Sequence, residues 1–409
     1  MGRRTNEEMA ASASPWTLRA RWIFPVNTPP FADGILTIDG ERIVALEANR
    51  SRAVDVDVGE CAVLPGLVNA HTHLDLTGLR GKCPPGDDFT DWLRRVIRHR
   101  RDAAMEQITS DIRTGLAESL RCGTTLLGDI SAGGISWSSL AESPLRSVVF
   151  YELLGLTEAR ADPSLGLARD WLHGHRALAH CRPGLSPHAP YSVRKTLFSR
   201  TGRLALLSKI PLAVHLAESR EELELLRNRQ GPFVSFLKEL GVWDEDGLAD
   251  SPSLVMKLCN RRNSLLFIHG NYLTPSARIP RNSTIVYCPR THAAFGHAPH
   301  PIRTFLKRGV RVAIGTDSLA SNPDLDVLAE VRYLRQQRPE IPGETLLRMA
   351  TLSGAEALGW ADETGSLEAG KSADLVVVPL SKDGGSDPHE QLLRSDLPVQ
   401  RVLCRGHWL

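Results

Sequence analysis

No apolar run in this chain approaches the roughly 18 residues of a membrane-spanning helix. Neither charge is in excess: 49 Lys and Arg stand against 47 Asp and Glu, a formal net charge of +2. That balance supplies no electrostatic reason to expect nucleic acid or an anionic membrane as partner. There is no C-x-x-C pair, and Cys61, Cys83, Cys122, Cys181, Cys259, Cys288 and Cys404 follow no regular spacing. An odd, dispersed set predicts buried or incidental thiols in a reducing, cytoplasmic compartment and not a disulfide framework. The opening stretch "MGRRTNEEMAASASPW" lacks the apolar core of about 7–15 residues that a secretory signal carries, so no signal peptide is expected. Internal repeats and low-complexity tracts are also missing. What remains is a globular composition, 42% hydrophobic and 23% charged over 409 residues. Such a length accommodates one domain of about 250–300 residues and a smaller one.

The two ends of the chain read alike. "LRARWIF", "GILTIDGERIVAL" and "VDVDVGECAVL" alternate apolar and polar residues between turns, and "DGER" marks a hairpin. After residue 360, "GSLEAGKSADLVVVPL" and "PVQRVLCRGHWL" repeat that pattern. One small β domain assembled from residues 1–64 and 361–409 is therefore expected. Between them, over 65–360, short continuously apolar runs alternate with helix-patterned stretches: "TTLLGDI", "SVVFYELLG", "PLAVHLAE", "SLLFIHGN", "STIVYCP" and "VRVAIGTDS". Runs apolar at every position predict strands of a parallel sheet covered on both faces. Ser219 with Glu222 predicts a capping box, and Asn322 with Pro323 predicts a helix start before "DLDVLAEVRYL". Repeated βα units of this extent predict an α/β fold, a (β/α)8 barrel, whose function sits at the C-terminal ends of the strands.

Those ends carry the chemistry. His71 and His73 close the first run, and Glu152, His188, His215 with Glu218, His269 and Asp317 close later ones. Taken alone, the H-x-H pair is as compatible with two structural histidines as with two ligands. Four further strand ends with matching residues tip the balance. Three imidazoles and a carboxylate around an open position make up a catalytic zinc or iron site, not a closed structural one.

The motifs "PGLVNAHTHLDLTGLRG", "SPHAPYS", "HLAES", "HGNYL", "GTDSLASN" and "GSLEAGKSADLVV" resemble the amidohydrolase superfamily. More narrowly, they resemble its cytosine-deaminase-like, S-adenosylhomocysteine-deaminase-like and chlorohydrolase-like branch. The resemblance runs from about residue 34 to the C-terminus. It implies a (β/α)8 barrel with a small composite β-sandwich and one divalent metal ion, zinc ahead of iron or manganese. His71, His73, His215 and Asp317 fall at its ligand positions, Glu218 at that of the proton-shuttling glutamate, and His269 at that of the histidine orienting the attacking water. Binuclear relatives place a carboxylated lysine at the end of the fourth strand, where this chain reads "GLSPHAPYS".

The resemblance thus implies a hydrolytic deaminase, an enzyme acting on a non-peptide carbon–nitrogen bond of an aminated N-heterocycle such as a purine nucleoside, pyrimidine or pterin. Activated water attacks the amine-bearing carbon, Asp317 takes the water proton, Glu218 protonates a ring nitrogen, and ammonia leaves. Trp92 falls where such enzymes stack a tryptophan on substrate, although its spacing with Val96 and Ile97 equally predicts core packing. The basic run Arg94 to Arg101 reads as a solvated helix face, the other reading being that one of its arginines meets an anionic group of the substrate. S-adenosylhomocysteine-deaminase-like enzymes carry, nine residues after the tryptophan, a carboxylate that binds ribose hydroxyls; Arg101 stands there, which argues against that exact substrate and, with the other departures at Glu152 and "CPRTHAAFGH", for a different aminated heterocycle. The short loop with F-x-x-W-L-x-x-V also resembles the aminofutalosine-deaminase relatives. His188 falls at a substrate-facing position. Glu152 reads either as a ligand for a substrate hydroxyl or amine or as a support of the barrel mouth. "CPRTHAAFGH" brings Arg290, Thr291 and His292 into consideration as residues reshaping the pocket. Rival readings are a chlorohydrolase or cyclic-amide hydrolase on the same site, or a non-catalytic assembly module. The expected partner is a small heterocyclic substrate, with a homodimer or higher homo-oligomer by analogy.

Overall fold

The computed structural model describes residues 15–48, 52–86, 88–261, 263–381 and 385–409. The alternating segments at the chain ends form β1 (Trp16–Ile23), β2 (Phe31–Asp39), β3 (Arg42–Glu47), β4 (Val56–Asp57) and β5 (Cys61–Pro65). The continuously apolar runs form β6 (Leu67–Thr72), β7 (Thr124–Ala132), β8 (Arg146–Leu153), β9 (Cys181–Pro187), β10 (Leu212–Leu216), β11 (Leu265–His269), β12 (Ser283–Tyr287) and β13 (Arg311–Ile314). Beyond them lie β14 (Leu375–Pro379), β15 (Arg401–Cys404) and β16 (His407–Trp408). Two compact units result. One holds the described residues up to Asn69 with Ala117–Leu127 and Asp326–Leu409, and the other holds Ala70–Leu116 and Gly128–Leu325.

The end strands form one mixed eight-stranded sheet in the order β16-β15-β14-β5-β1-β2-β3, with β4 beside β1. Its hairpin at Gly40 and Glu41 joins β2 to β3, as the "DGER" turn predicts, and Gly40 takes the positive φ of 53° that the turn requires. Leu18, Ile38, Ile43, Val63, Leu375 and Leu403 pack together on this sheet.

The central strands follow one another in chain order, β6 to β13, in a nearly closed parallel barrel. Every residue of β6, β10, β11 and β12 is buried, the signature of strands covered on both faces. Each buried Leu, Val or Ile contributes about 1.5–3 kcal/mol, so the barrel holds its strand ends rigidly. Closure at the mouth is direct: the Asp317 N–H, three residues past β13, donates to the His71 carbonyl of β6 at 3.1 Å. Gly315 makes that approach possible, because a Cβ there would lie 2.9 Å from His71 Cβ and 3.0 Å from His71 O.

Two helix starts differ in instructive ways. The capping box appears, with Ser219 Oγ accepting from Glu222 N–H. The Glu222 carboxylate, however, reaches past the cap to accept from Ala217 N–H and Glu218 N–H. At Asn322 the expected cap is displaced. The helix runs Val327–Gln337 and is capped by Asp326, while the Asn322 amide donates to Thr316 O at 2.6 Å. Among the described residues no helix is long and apolar enough to cross a membrane.

Candidate active site

His71 lies within β6, His73 just beyond it, His215 within β10, and His269 at the last position of β11. The β10–β11 register pairs His215 with Ile268 and Leu216 with His269, so both imidazoles emerge at the same rim. Asp317 joins them across the closure. Three backbone positions at this rim are left-handed without being glycine: Ala217 at φ 52°, His269 at φ 67° and Asp317 at φ 59°. Each costs of order 1–3 kcal/mol, and such positions gather where surrounding packing forces side chains into a functional geometry.

The five side chains converge. His73 Nε2 is 3.3 Å from His215 Nε2, and Asp317 Oδ1 is 3.4 Å from His71 Nε2 and 3.8 Å from His73 Nε2. Three overlapping groups keep one ligand atom each within 4.8 Å of the others: His71, His215 and His269; His71, His73 and Asp317; Glu218, His269 and Asp317. The donors are held by a second layer of contacts. His215 Nδ1–H donates to His188 O at 3.2 Å, which leaves its Nε2 lone pair facing His73. Ser321 donates to Asp317 Oδ2 at 2.9 Å, His300 Nε2–H to His269 O at 3.0 Å, and Asn271 to Glu218 O at 3.0 Å.

Burial sets the protonation of the group. It pushes His73 and His215 well below the usual imidazole range and His269 down to about 3, so these rings are neutral. Burial alone would raise Asp317, but the hydrogen bond from His71 and the neighbouring rings hold it below the ordinary carboxylate range. Glu218 goes the other way: burial, then the Asp317 and Glu222 charges, raise it well above its usual value. Its Oε1 lies 3.3 Å from His269 Nε2. Neutral imidazoles, one anionic carboxylate and an adjacent protonated carboxyl are a donor set that fits a divalent ion with an acid beside it.

These groups form the floor of a cavity of about 440 Å³. Its walls are largely apolar, with Phe89, Trp92, Val96 and Phe236 among them, while Glu152 and His188 line one side. Trp92 serves both of the readings its spacing allowed. Its ring reaches the cavity, yet it is buried in the core and its Nε1–H is shared between Cys83 O and Ala320 O. Arg290 and His292 do not line the cavity. The helix Pro289–Ala294 turns Arg290 onto Asp324 at 2.6 Å, and His292 donates from Nε2 to Ala298 O at 2.9 Å. Thr291 is likewise turned inward, within 3.1 Å of Ser321 Oγ.

The basic run is only partly a solvated face. Arg94 pairs with Asp91 and Glu239, but Arg100 turns inward to Asp75 and Glu152 and lines the cavity. Position 100 shares the helix face of Trp92 and Val96 at spacings of four, so a cation on an apolar face was the readable sign. Asp75 stands outside the donor set, with Oδ2 accepting from Arg100 Nε at 2.8 Å. Asp129 belongs to no motif, and Glu222 reads from the sequence only as half of a capping box. Asp129 accepts from Leu74 N–H, beside the H-x-H pair, and from Ser136. An acid inside an apolar run such as "TTLLGDI" is the trace it leaves in the sequence.

The model of the amidohydrolase family matches residues 62–409. The chain belongs to the amidohydrolase family. It is 30% identical over 394 residues to 5-methylthioadenosine/S-adenosylhomocysteine deaminase of Moorella thermoacetica, covering 90% of this chain and 86% of that one. Among solved structures, aminofutalosine deaminase of Helicobacter pylori, in complex with methylthio-coformycin, superposes with a TM-score of 0.84 at 25% identity, over 96% of this chain and all of that one. Adenosine deaminase of Xanthomonas campestris with bound zinc has a TM-score of 0.77 at 26% identity, over 96% and 92% of the two chains.

Proposed function

We propose that this amidohydrolase is a metal-dependent hydrolytic deaminase of an aminated N-heterocycle, a purine nucleoside of the adenosine type, releasing ammonia. The observation that carries the reading is Glu218, a buried carboxyl that burial pushes toward its protonated form, 3.3 Å from His269 in the floor of the cavity. An amine is a poor leaving group without a proton donor, whereas displacement of halide has less need of one. His71, His73, His215 and Asp317 hold one divalent ion, and zinc is the metal of the solved Xanthomonas relative. When bound, the ion supplies Lewis acidity and acidifies a water.

The chain's own residues do the rest. Glu218 delivers its proton to the ring nitrogen next to the amine-bearing carbon, which makes that carbon electrophilic. Asp317, anionic and fixed by Ser321, accepts the proton of the attacking water as the carbon–oxygen bond forms. His269, being neutral, offers an N–H to the oxygen that gains charge. The carbon–nitrogen bond then breaks: Asp317 returns the proton taken from water to the leaving amine, and the remaining hydroxyl proton passes to Glu218 as the carbonyl forms, so that ammonia departs and both carboxyls are restored. The apolar walls exclude bulk water, and His188 and Glu152 stand where a substituent of the ring would lie. None of the seven cysteines is in a disulfide, which supports a reducing compartment such as the cytoplasm.

The test is Glu218→Gln with metal content measured on the purified protein. Metal should be retained and ammonia release should fall about 10²–10⁴-fold. Retained turnover sinks the assignment. A screen over aminated purines, pyrimidines, pterins and 6-aminonucleosides that yields dechlorination or ring opening and no ammonia overturns the reaction class.

A further inference from the structure

The near-neutral total charge conceals a strongly polarised distribution. Residues 171–217 carry seven Lys and Arg and residues 251–316 carry ten, while neither stretch holds an Asp or Glu, so all 47 acids lie elsewhere. The fold brings the two stretches to one place. Lys209, Arg261, Arg281 and Arg308 stand within four residues ahead of β10, β11, β12 and β13 in turn, and a parallel barrel gathers such positions at its N-terminal rim. Hydrogen bonds tie the segments together there. Leu212 N–H donates to Ser264 O at 3.0 Å, Asn282 Nδ2 to Arg261 O at 3.0 Å, and Arg308 Nη2 to Ala277 O at 2.9 Å. Arg308 also donates to Pro275 O, and Arg261 to Asn260 O and Ser199 Oγ, so neutral oxygens fix both arginines without offsetting their charge. Beside them Lys209, Arg278, Arg281, Arg303 and Lys307 are exposed and have no partner among the described residues. Arg200, which pairs with Asp162, marks the edge of this face. Leu206 and Leu207, in the last turn of the helix Lys195–Ser208 that leads to Lys209, are 38% and 71% exposed. Every Phe, Trp and Tyr of the two stretches is buried or half-buried.

We propose that this rim, together with the exposed end of the helix Lys195–Ser208, is a docking face for an anionic lipid surface. Anionic headgroups neutralise cations that the chain itself leaves unpaired, and Leu206 and Leu207 enter the boundary between headgroups and acyl chains. Nucleic acid fits the face less well. Unpaired bases stack on exposed aromatic rings, which this face lacks, and phosphate contacts make no use of exposed leucines. A second copy docked symmetrically on the same face sets cation against cation. The catalytic donors sit at the opposite, C-terminal rim of the barrel, so lipid contact leaves the cavity uncovered. Docking here is independent of which amine the cavity takes.

The experiment is co-sedimentation of the purified full chain with sucrose-loaded vesicles at ~0.1 M salt, made of phosphatidylcholine alone or with about 30% phosphatidylglycerol. Wild type should pellet with the anionic vesicles and not with the neutral ones, and ~0.5 M salt should release it. Each Lys or Arg near an anionic surface strengthens binding roughly fivefold. The combined substitution Arg278→Gln, Arg281→Gln and Lys307→Gln should therefore weaken it about 100-fold. Leu207→Ser should weaken it about 10-fold. All four positions are exposed, so urea denaturation of both variants should match wild type. If either fails to fold, the wild-type comparison of anionic with neutral vesicles still decides. Absence of wild-type binding to anionic vesicles, equal binding to neutral ones, or either folded variant binding as wild type does overturns the proposal. Retention of an RNA or DNA oligonucleotide without vesicle binding, lost in the triple variant, overturns it in favour of nucleic acid. Salt-sensitive self-association in sedimentation velocity, lost in the triple variant and without vesicle binding, overturns it in favour of an interface between copies.

Discussion

Glu222 is the residue whose removal tests how the strand end is held. Its carboxylate accepts from Ala217 N–H at 2.8 Å and from Glu218 N–H at 3.0 Å, and it lies outside the cavity lining. Glu222→Ala strands two buried donors, each costing about 1–3 kcal/mol when left unpaired. It also releases a turn in which Ala217 occupies φ 52° only because its amide is tied down. A loss of roughly 2–5 kcal/mol in unfolding free energy follows, read from urea denaturation of wild type and variant side by side. The catalytic consequence is separate. Glu218 loses its backbone anchor while every cavity-lining side chain stays, so kcat should fall about 10- to 100-fold with KM much less affected. Glu222→Gln should be intermediate, since one acceptor oxygen survives and the amide nitrogen opposes an N–H. If Glu222→Ala lies within about 1 kcal/mol of wild type with kcat unchanged, the carboxylate does not position Glu218.

Asp129 predicts a pH effect on stability. Burial first of all pushes its carboxyl up to about 7, against an ordinary value near 4 in the unfolded chain. Below pH ~4 both states hold the proton; from there to pH ~7 only the folded state does, so stability should decline by up to about 4 kcal/mol across that window and level off above it. Asp129→Asn should flatten that slope in denaturation series at pH 5 and 8, and identical slopes would exclude the effect. Gly315→Ala places a methyl 2.9 Å from His71 Cβ, forcing β6 and β13 apart at the metal-donor end. A loss of about 1–3 kcal/mol and a lowered metal content after dialysis are expected, and full metal retention would count against the closure argument.

Much of this molecule could be read from the chain. Continuous apolarity named the barrel strands, because a strand covered on both faces has no polar side to show. Their terminal residues, His71, His73, His215, Glu218, His269 and Asp317, were legible because a parallel barrel gathers equivalent strand ends at one rim whatever their separation in sequence. Local hydrogen-bond choices were less legible. Ser219 and Glu222 spelled a capping box, yet Glu222 serves Ala217 and Glu218, because the left-handed turn brings those two amides within its reach. Asn322 and Pro323 looked like a helix start, yet Thr316 O claims the asparagine and Asp326 takes the cap.

Side-chain direction at the mouth was decided only by tertiary packing. Arg290 and His292 follow β12 as promisingly as His215 and Glu218 define the end of β10, but one turn of helix carries the first pair to Asp324 and Ala298. Arg100, within a run that reads as solvated, is drawn instead between Asp75 and Glu152. Sequence by itself determined the periodicity, and through it which elements form and where their ends meet. Which buried donor meets which acceptor depends on contacts between elements distant in the chain, and an unpaired polar atom is costly enough that packing, not local pattern, settles the match.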